Sequence, residues 1–520
     1  MKRKKRPKSE IELPVVSFKA YQPNQVLLFP PALGDLIDAD HPVRVVGDVV
    51  DRMDVAPLMK NYKGGGSSSY HPKMLLKVLI YGYLCNIYSS RRLEAAVKES
   101  VHMMWLSGLQ RPDHNTINRF RTDRLKGVVK QVFSQVVALL VESGHVSLKQ
   151  VYVDGTKIEA NANRYTFVWG KSIETNKAKM AAQLEELWNF AESVAQEELK
   201  DKRPESFAPV DPEQVRKTID EIDRALESSK KKVPSKTRQK VNYARRNWPE
   251  KVAEYNQKQE ILAGRNSYSK TDPDATFMRM KEDHMQNGQL KPGYNMQISS
   301  SEQIIVNFSI HQDCTDSPTL PAHLSQHKEL HGQMPQEVTA DAGYGSEENY
   351  ALMESNGVEA FVKYNMFDKE QQGKSKLPPF RVEALHYNPQ TDIFTCPMGQ
   401  PMRNIGKRTQ RTTTGYQQQI TRYQAINCGA CPLNGACHKQ KGNRIIEVNH
   451  NARRHREDAA ERLKTEKGIA HRKKRPWDVE SVFGNIKQNK GFRRFLLRGI
   501  EKVEIEAGLI AIAHNIQKIA

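Results

Sequence analysis

Long apolar runs and cysteines are scarce in this sequence, and each shortage excludes a class of protein. The longest apolar stretch, Val78 to Tyr88, is far shorter than the roughly 18 to 20 residues that cross a bilayer. No apolar segment of the secretory type follows the basic residues 1–10. Six cysteines in 520 residues are too few for the disulfide framework of a secreted protein. We therefore expect a cytoplasmic protein that does not enter a membrane.

Acidic residues are the minority among the charged residues. The 80 lysines and arginines exceed the 60 aspartates and glutamates, which leaves a formal charge of +20. An excess of this size favours a polyanionic partner, with nucleic acid the commonest and an anionic membrane surface second. The chain also exceeds the roughly 250 to 300 residues that one hydrophobic core serves, so we expect two or more structural units.

Helical periodicity is typical of the first stretch of the chain. After a basic tail (1–20), the apolar spacing predicts an N-terminal helical DNA-binding domain over 21–145. Within it, Asp113 begins a helix that ends with Arg119 and Arg121, a pattern typical of a recognition helix. An ordinary amphipathic helix that ends in exposed arginines explains the same pattern. Arg119 and Arg121 are therefore candidate DNA contacts.

Three acidic residues stand where predicted strands or helices place side chains precisely. Asp154 interrupts one apolar strand and Asp341 ends another, while Glu480 and Lys487 are seven residues apart on one face of a late helix. Magnesium prefers oxygen ligands, and a pair of such ions catalyses phosphodiester cleavage. The three acids can therefore hold two Mg²⁺ ions, with Lys487 on a DNA phosphate.

The amino-acid sequence around these acids resembles that of a known enzyme family. The stretches are YVDGTKIEAN at 152–161, ADAGYG at 340–345 and VESVFGNIK at 479–487, in this order. They resemble the DDE transposases of bacterial insertion sequences, and the likeness spans most of the chain. Such proteins cut DNA at the ends of their own element and join those ends to target DNA.

The resemblance implies roles for particular residues. Asp154, Asp341 and Glu480 match the three catalytic acids, which bind two Mg²⁺ or Mn²⁺ ions. The resemblance also implies that the N-terminal helices contact the double-stranded terminal inverted repeats. It further implies that the protein works on the bacterial nucleoid and forms a homo-oligomer when it brings two ends together.

The family pattern is not matched throughout. Many such enzymes carry a tyrosine and an arginine shortly before the glutamate, with three residues between the arginine and the glutamate. Here Pro476 occupies that position, Arg475 is one residue farther away, and no tyrosine precedes it. Arg475 is therefore carried over only as a candidate DNA contact, together with Lys487.

These inferences combine into one α/β fold class. We expect an RNase H-like catalytic core that is interrupted twice, by a helical-hairpin insertion and by a cysteine-containing β and loop insertion. No internal repeat is found. The expected divisions after the N-terminal domain are a first core segment (146–173), the hairpin (174–262), a second core segment (263–353), the cysteine unit (354–444) and a third core segment (445–520).

The cysteine unit predicts a second metal. Four of the six cysteines lie close together in the sequence and can form a tetrahedral structural Zn²⁺ site, namely Cys396, Cys428, Cys431 and Cys437. Only one CxxC pair is present, so free reduced thiols are the alternative, and His386 or His438 can replace a cysteine. An iron–sulfur cluster is a third interpretation.

Two other functions fit the same residues. A metal-dependent nuclease of this fold would hydrolyse DNA without joining ends, and a regulator derived from a transposase would bind DNA without cutting it.

Asp313 and Asp316, which follow a predicted strand, are interpreted as turn and capping residues.

Overall fold

The computed structural model describes residues 32–60, 62, 69–229, 233–280, 288–373 and 378–520. The predicted basic tail (1–20) and the start of the predicted 21–145 domain lie outside these residues. Helices and twisted sheets both contribute to the described residues, so the predicted α/β class is confirmed. In the same ranges, no helix combines the length and the apolar character needed to cross a bilayer.

Helices fill the first described segments. Val43, Val46 and Val50 recur at helical spacing on the first helix and are buried, while the third helix is apolar on almost every side and lies in the interior. The helices of this region are α1 (Pro42–Arg52), α2 (Ala56–Met59), α3 (Pro72–Leu84), α4 (Ser90–Glu99), α5 (Val101–Ser107), α6 (His114–Arg119) and α7 (Val129–Glu142).

A central mixed sheet follows. The strands are β1 (Gln150–Glu159), β2 (Phe167–Trp169), β3 (Ser267–Ser269), β4 (Thr276–Arg279), β5 (Leu290–Ser301), β6 (Ile304–His311), β7 (Glu337–Ala340) and β8 (Glu359–Val362). Their order is β6-β5-β1-β7-β8, with β4 beside the first half of β5 and β2 paired separately with β3. Strands β6, β5 and β1 are antiparallel, whereas β1, β7 and β8 are parallel.

A helical unit stands between β2 and β3. It consists of α8 (Gly170–Val194), α9 (Pro212–Ser228) and α10 (Ser235–Leu262), which pack around Trp188 in an apolar core of their own. The predicted hairpin therefore has three helices instead of two. Asp211 caps α9 by accepting the Glu213 N–H at 3.1 Å, and Pro212 occupies the first helical position, so a new helix starts there.

A second sheet lies beside the clustered cysteines. Its antiparallel order is β13-β12-β11-β10-β9, and Phe394 and Tyr423 are fully buried in its separate core. The strands are β9 (His386–Asn388), β10 (Ile393–Thr395), β11 (Pro401–Arg411), β12 (Gln417–Ala425) and β13 (Ile445–Val448). The predicted start of this unit at residue 354 is wrong, because β8 pairs with β7 in the central sheet.

The remaining helices cover the central sheet. They are α11 (Leu320–His331), α12 (Glu347–Ser355), α13 (Phe367–Gln371), α14 (His450–Lys464), α15 (Glu466–Arg475), α16 (Ser481–Gly484) and α17 (Ile500–Ile519). Helix α17 is buried over most of its length and packs against both β6 and α3. Its buried Glu506 accepts the Tyr83 hydroxyl at 3.3 Å and the Leu496 N–H at 2.8 Å. The N-terminal helices and the central sheet therefore share one core.

Helix α11 presents a column of histidines to β5 and β6. His323 and His327 are fully buried, and serine hydroxyls lie 2.7 Å from both ring nitrogens of His323, one from Ser299 and one from Ser309. Both ring nitrogens of His327 lack a hydrogen-bond partner among the described residues. Burial lowers the pKa of His327 to about 3, so this imidazole is neutral in the folded protein.

We expect the free energy of unfolding to decrease as the pH falls below about 6.5. The unfolded chain binds a proton at His327 near the ordinary pKa of 6.5, whereas the folded chain does not until about pH 3. The stabilisation is complete above the unfolded pKa and is lost progressively below it, by a few kcal/mol in order of magnitude. Urea unfolding at about pH 7.5 and about pH 5 measures this loss. The His327→Leu variant should lose less stability between the two pH values, and an equal loss would contradict the assignment.

Candidate active site

The register of the central sheet brings the two predicted aspartates together. Val153 of β1 pairs with Ala340 of β7 in parallel, so Asp154 and Asp341 follow at neighbouring positions. Asp154 is buried within β1, whereas Asp341 directly follows β7 with 41% of its side chain exposed. The Asp341 carboxylate accepts the Gly343 N–H at 2.8 Å, which holds the turn after β7.

Glu480 reaches the same place from a helical segment, 466–489. Within this segment, a wide π-helical turn at Pro476–Glu480 joins α15 to α16, and a second one at Asn485–Asn489 follows α16. The segment packs on the core through an apolar stripe of four buried side chains: Val479, Val482, Phe483 and Ile486. Asp478, also buried, accepts the Ser300 hydroxyl at 2.7 Å and the Glu302 N–H at 2.8 Å. These bonds fix the segment on the β5–β6 turn and leave Glu480 facing the cleft.

Arg475 lies among the three acids. Its Nη2 is 3.3 Å from Asp154 Oδ1 and 3.9 Å from Asp341 Oδ2, and its Nη1 is 2.9 Å from Glu480 Oε1. Only 14% of the Arg475 side chain is exposed. One guanidinium therefore balances some of the charge of three carboxylates that would otherwise repel each other.

An open cleft of about 330 Å³ covers this cluster. Lys487 lines the cleft together with Glu480, as their predicted common face requires, and most of the Lys487 side chain is buried. The lining residues are Asp154, Thr156, Asp341, Arg475, Glu480, Phe483, Gly484, Lys487 and Gln488. The cleft therefore combines carboxylates with two cations, a set that can hold a phosphodiester beside divalent ions.

A polar network that the sequence interpretation missed lies behind the aspartates. Asp316 Oδ1 accepts the side-chain amides of Asn295 at 2.8 Å and Gln297 at 3.0 Å, and Gln297 in turn accepts the Tyr344 hydroxyl. The interpretation of the Asp316 side chain as a turn or capping group is therefore corrected. The signal in the sequence was the run of alternating polar side chains on β5, a strand that is otherwise buried. The network lies against Gly155, beside Asp154.

The predicted recognition helix has only one of its two arginines at the surface. Asp113 caps α6 as predicted, by accepting the Thr116 N–H at 2.8 Å, and Arg119 is exposed. Arg121, by contrast, is 3% exposed and donates to the Tyr88 carbonyl at 2.7 Å. The prediction that Arg121 contacts DNA is therefore wrong, because its guanidinium is used inside the protein. Arg119 stays a prediction.

The four clustered cysteines line one small cavity of about 20 Å³, and none of them forms a disulfide. Backbone N–H groups approach two of the sulfurs at 3.3 Å, from Gln400 to Cys396 and from Arg444 to Cys428. The Arg444 guanidinium lies 3.0 Å from Cys437 Sγ. The cavity therefore gathers sulfur atoms beside hydrogen-bond donors.

The donor chemistry of the two sites fits different metals. Over the ranges that the structure describes, no group of three or more His, Cys, Asp or Glu side chains has the spacing of a formed metal site. Carboxylate oxygens in the cleft suit Mg²⁺ or Mn²⁺, and Arg475 now occupies the space between them. Thiolates in the second cavity suit Zn²⁺.

Family models match two separate stretches of the chain. Residues 31–123 match a transposase domain (DUF772), and residues 395–520 match a transposase DDE domain. The second segment contains Glu480, whereas Asp154 and Asp341 lie outside both segments. A DDE domain implies an RNase H-like core. The central sheet, with three antiparallel and two parallel strand pairs, agrees with such a core. No curated protein and no solved structure matches the chain.

Proposed function

Because both matches support a DDE-type transposase of the insertion-sequence kind, we propose that this protein cuts and joins DNA at the ends of its own element. The observation that carries the proposal is the meeting of Asp154, Asp341 and Glu480 around Arg475 in one open cleft. The three acids come from two strands and one helix that are far apart in the sequence. Such convergence is expected of a site, because residues that only form turns in separate parts of the chain have no reason to share a cation.

The cleft residues have separable roles in this proposal. Asp154 and Asp341 hold fixed positions at the sheet, and Glu480 closes the site from the helical segment 466–489. When bound, Mg²⁺ or Mn²⁺ supplies the charge that activates the attacking water or 3′-hydroxyl and stabilises the leaving oxygen. Arg475 leaves the carboxylates when they bind metal and turns to a DNA phosphate, and Lys487 contacts a second phosphate.

The N-terminal helices supply the contact to the terminal inverted repeats. The exposed Arg119 at the end of α6 is the side chain that we assign to this contact. The two ends of one element must meet before they are joined, so we propose a homo-oligomer on double-stranded DNA. These assignments rest on the match at residues 31–123 and on the basic charge of the chain.

A product analysis tests the proposal. Purified full-length protein is incubated with Mg²⁺ and end-labelled duplexes that carry the sequences flanking its gene, and a reaction with chelator is the control. Cleaved ends and joined products that require the metal are the expected result. Nicks without joined products would identify the nuclease, and binding without any cut would identify the regulator; either outcome would overturn the proposal.

We further propose a structural Zn²⁺ held by Cys396, Cys428, Cys431 and Cys437, since these four thiols share one cavity. Purified protein should contain about one equivalent of zinc by elemental analysis. The Cys428→Ser variant should lose this zinc, whereas Cys314→Ser, a half-buried cysteine outside the cavity, should keep it. Zinc-free protein whose four thiols react with a thiol reagent would favour reduced cysteines instead.

A further inference from the structure

The hairpin of β11 and β12, with its connecting turn, is unusually basic. We call residues 401–425 the ribbon. This segment contains five cations (Arg403, Lys407, Arg408, Arg411 and Arg422) and no aspartate or glutamate. Every residue from 403 to 411 is exposed, although these residues belong to a β-strand. An exposed strand without acidic residues is therefore a surface for a polyanion.

One face of the ribbon combines cations with hydrogen-bonding side chains. Lys407 pairs with Thr421, Thr409 with Gln419 and Arg411 with Gln417, and directly paired residues project from the same face. We call the exposed members of this set the ribbon face, namely Lys407, Thr409, Arg411, Gln417 and Gln419. No ion pair joins Lys407 or Arg411 to a carboxylate of the described chain. Both charges are thus directed to solvent.

The opposite face of the ribbon is different. Arg408 and Arg422 project from it and share Glu447 of β13, at 2.9 Å and 3.9 Å. This carboxylate neutralises some of their charge. Beyond the irregular pairing at 404–406, each face of the hairpin therefore carries two cations, but the faces differ in the charge that a ligand would meet.

The ribbon is fixed to the catalytic core at its tip. Thr414 in the turn donates to Glu348 at 2.5 Å, and Gln418 donates to Glu347 at 2.8 Å. Both glutamates belong to the first turn of α12, a few residues after Asp341. Strand β11 spans about 35 Å from Pro401 to Arg411, close to one helical turn of B-form DNA. The ribbon therefore extends from the cysteine cavity to the first turn of α12.

We propose that the ribbon face binds the sugar-phosphate backbone of double-stranded DNA and guides it toward the cleft. This inference rests on the proposed function, which it extends to a second DNA-binding surface. Lys407 and Arg411 neutralise phosphates, and the amide and hydroxyl side chains between them donate hydrogen bonds to phosphate oxygens. A two-stranded ribbon also has the width that the major groove of DNA accepts. Ile405 is the one large apolar side chain that the described ribbon exposes strongly, which does not favour insertion into a membrane.

The test compares the two faces of the same hairpin. The face variant is Lys407→Gln with Arg411→Gln, and the matched control is Arg408→Gln with Arg422→Gln, which removes the same charge. Binding of full-length protein to a labelled duplex is measured by fluorescence anisotropy over a range of KCl concentrations. The logarithm of the binding constant falls with the logarithm of salt by about 0.9 per neutralised phosphate, so the face variant should lose about two units of slope. The control should lose less than half of that.

The outcomes separate this inference from the proposed function. The expected loss should be the same for end DNA and for an unrelated duplex, because backbone contacts carry no sequence information. If the wild-type protein cuts DNA but the face variant has the same salt dependence of DNA binding as the wild type, the ribbon assignment alone would be overturned. Wild-type protein that neither binds nor cuts DNA would overturn the proposed function. Wild-type binding to phosphatidylserine vesicles that the face variant loses, with DNA binding unchanged, would assign the ribbon face to lipid and also overturn the inference.

Discussion

The Asp154→Asn variant is expected to cut DNA about a thousandfold more slowly than the wild type, or not at all. The substitution keeps the shape of the side chain but removes one of the negative charges that would hold the metal ions of the proposed site. A metal pair contributes several kcal/mol to the stabilisation of the transition state, and each 1.4 kcal/mol, roughly, changes the rate tenfold. Single-turnover cleavage of an end-labelled duplex in Mg²⁺ measures the effect. Asp341→Asn and Glu480→Gln should behave in the same way.

DNA binding distinguishes a catalytic defect from a folding defect in these variants. Each should bind duplex DNA at least as well as the wild type, because it has lost one negative charge beside the phosphates. Asp48→Asn, an exposed residue on α1 outside the cleft, is the control for the substitution itself and should cut normally. Cleavage near the wild-type rate in any one of the three variants would remove that residue from the metal site.

The Gly155→Ala variant is expected to lose about a hundredfold in cleavage rate and about 1 to 3 kcal/mol in stability. A Cβ atom at position 155 would lie 2.1 Å from Gln297 Nε2 and 2.7 Å from Asp316 Oδ1, both inside the polar network. The network can move away only by breaking its hydrogen bonds, so we expect β1 to shift and carry Asp154 with it. A displacement of about 1 Å at a reacting centre is enough for such a loss of rate.

Gly170→Ala is the matched control for this substitution. Its new Cβ would meet its nearest neighbour, Leu262 Cδ1, at 3.5 Å, an ordinary van der Waals distance, and neither residue lines the cleft. This variant should keep both stability and cleavage. Urea unfolding and single-turnover kinetics measure the two effects separately. Full cleavage by Gly155→Ala would show that the network does not determine the position of Asp154.

Local patterns in the sequence predicted the residues whose roles depend on their own strand or helix. The apolar residues from Val479 to Ile486 recur with the 3.6-residue period of a helix. Their spacing therefore indicates on which side of the helix Glu480 lies. Asp341 ends a short strand just before a turn, which is also a local signal. The resemblance to transposases then connected these acids before any geometry was known.

The remaining features depend on contacts that no local pattern contains. Arg121 is buried because Tyr88 and the side chain of Asn118 accept its donors, and nothing in its own helix distinguishes it from the exposed Arg119. Strand β8 has four residues, too few for an alternating pattern to identify its sheet. The place of Asp316 depends on polar side chains of β5 about twenty residues earlier. Each of these depends on contacts that exist only in the assembled fold.

The shared core of the N-terminal helices and the central sheet fixes the distance between those helices and the cleft. Helix α17 contacts α3 on one side and β6 on another, and the hydrophobic residues of all three belong to one continuous cluster. A hinge between them would have to open this cluster to water. If α6 holds a terminal repeat as proposed, the interval between the recognised base pairs and the scissile phosphate is therefore built into the protein. The molecule then acts as a ruler, and the cut falls at a constant offset from the sequence that it recognises.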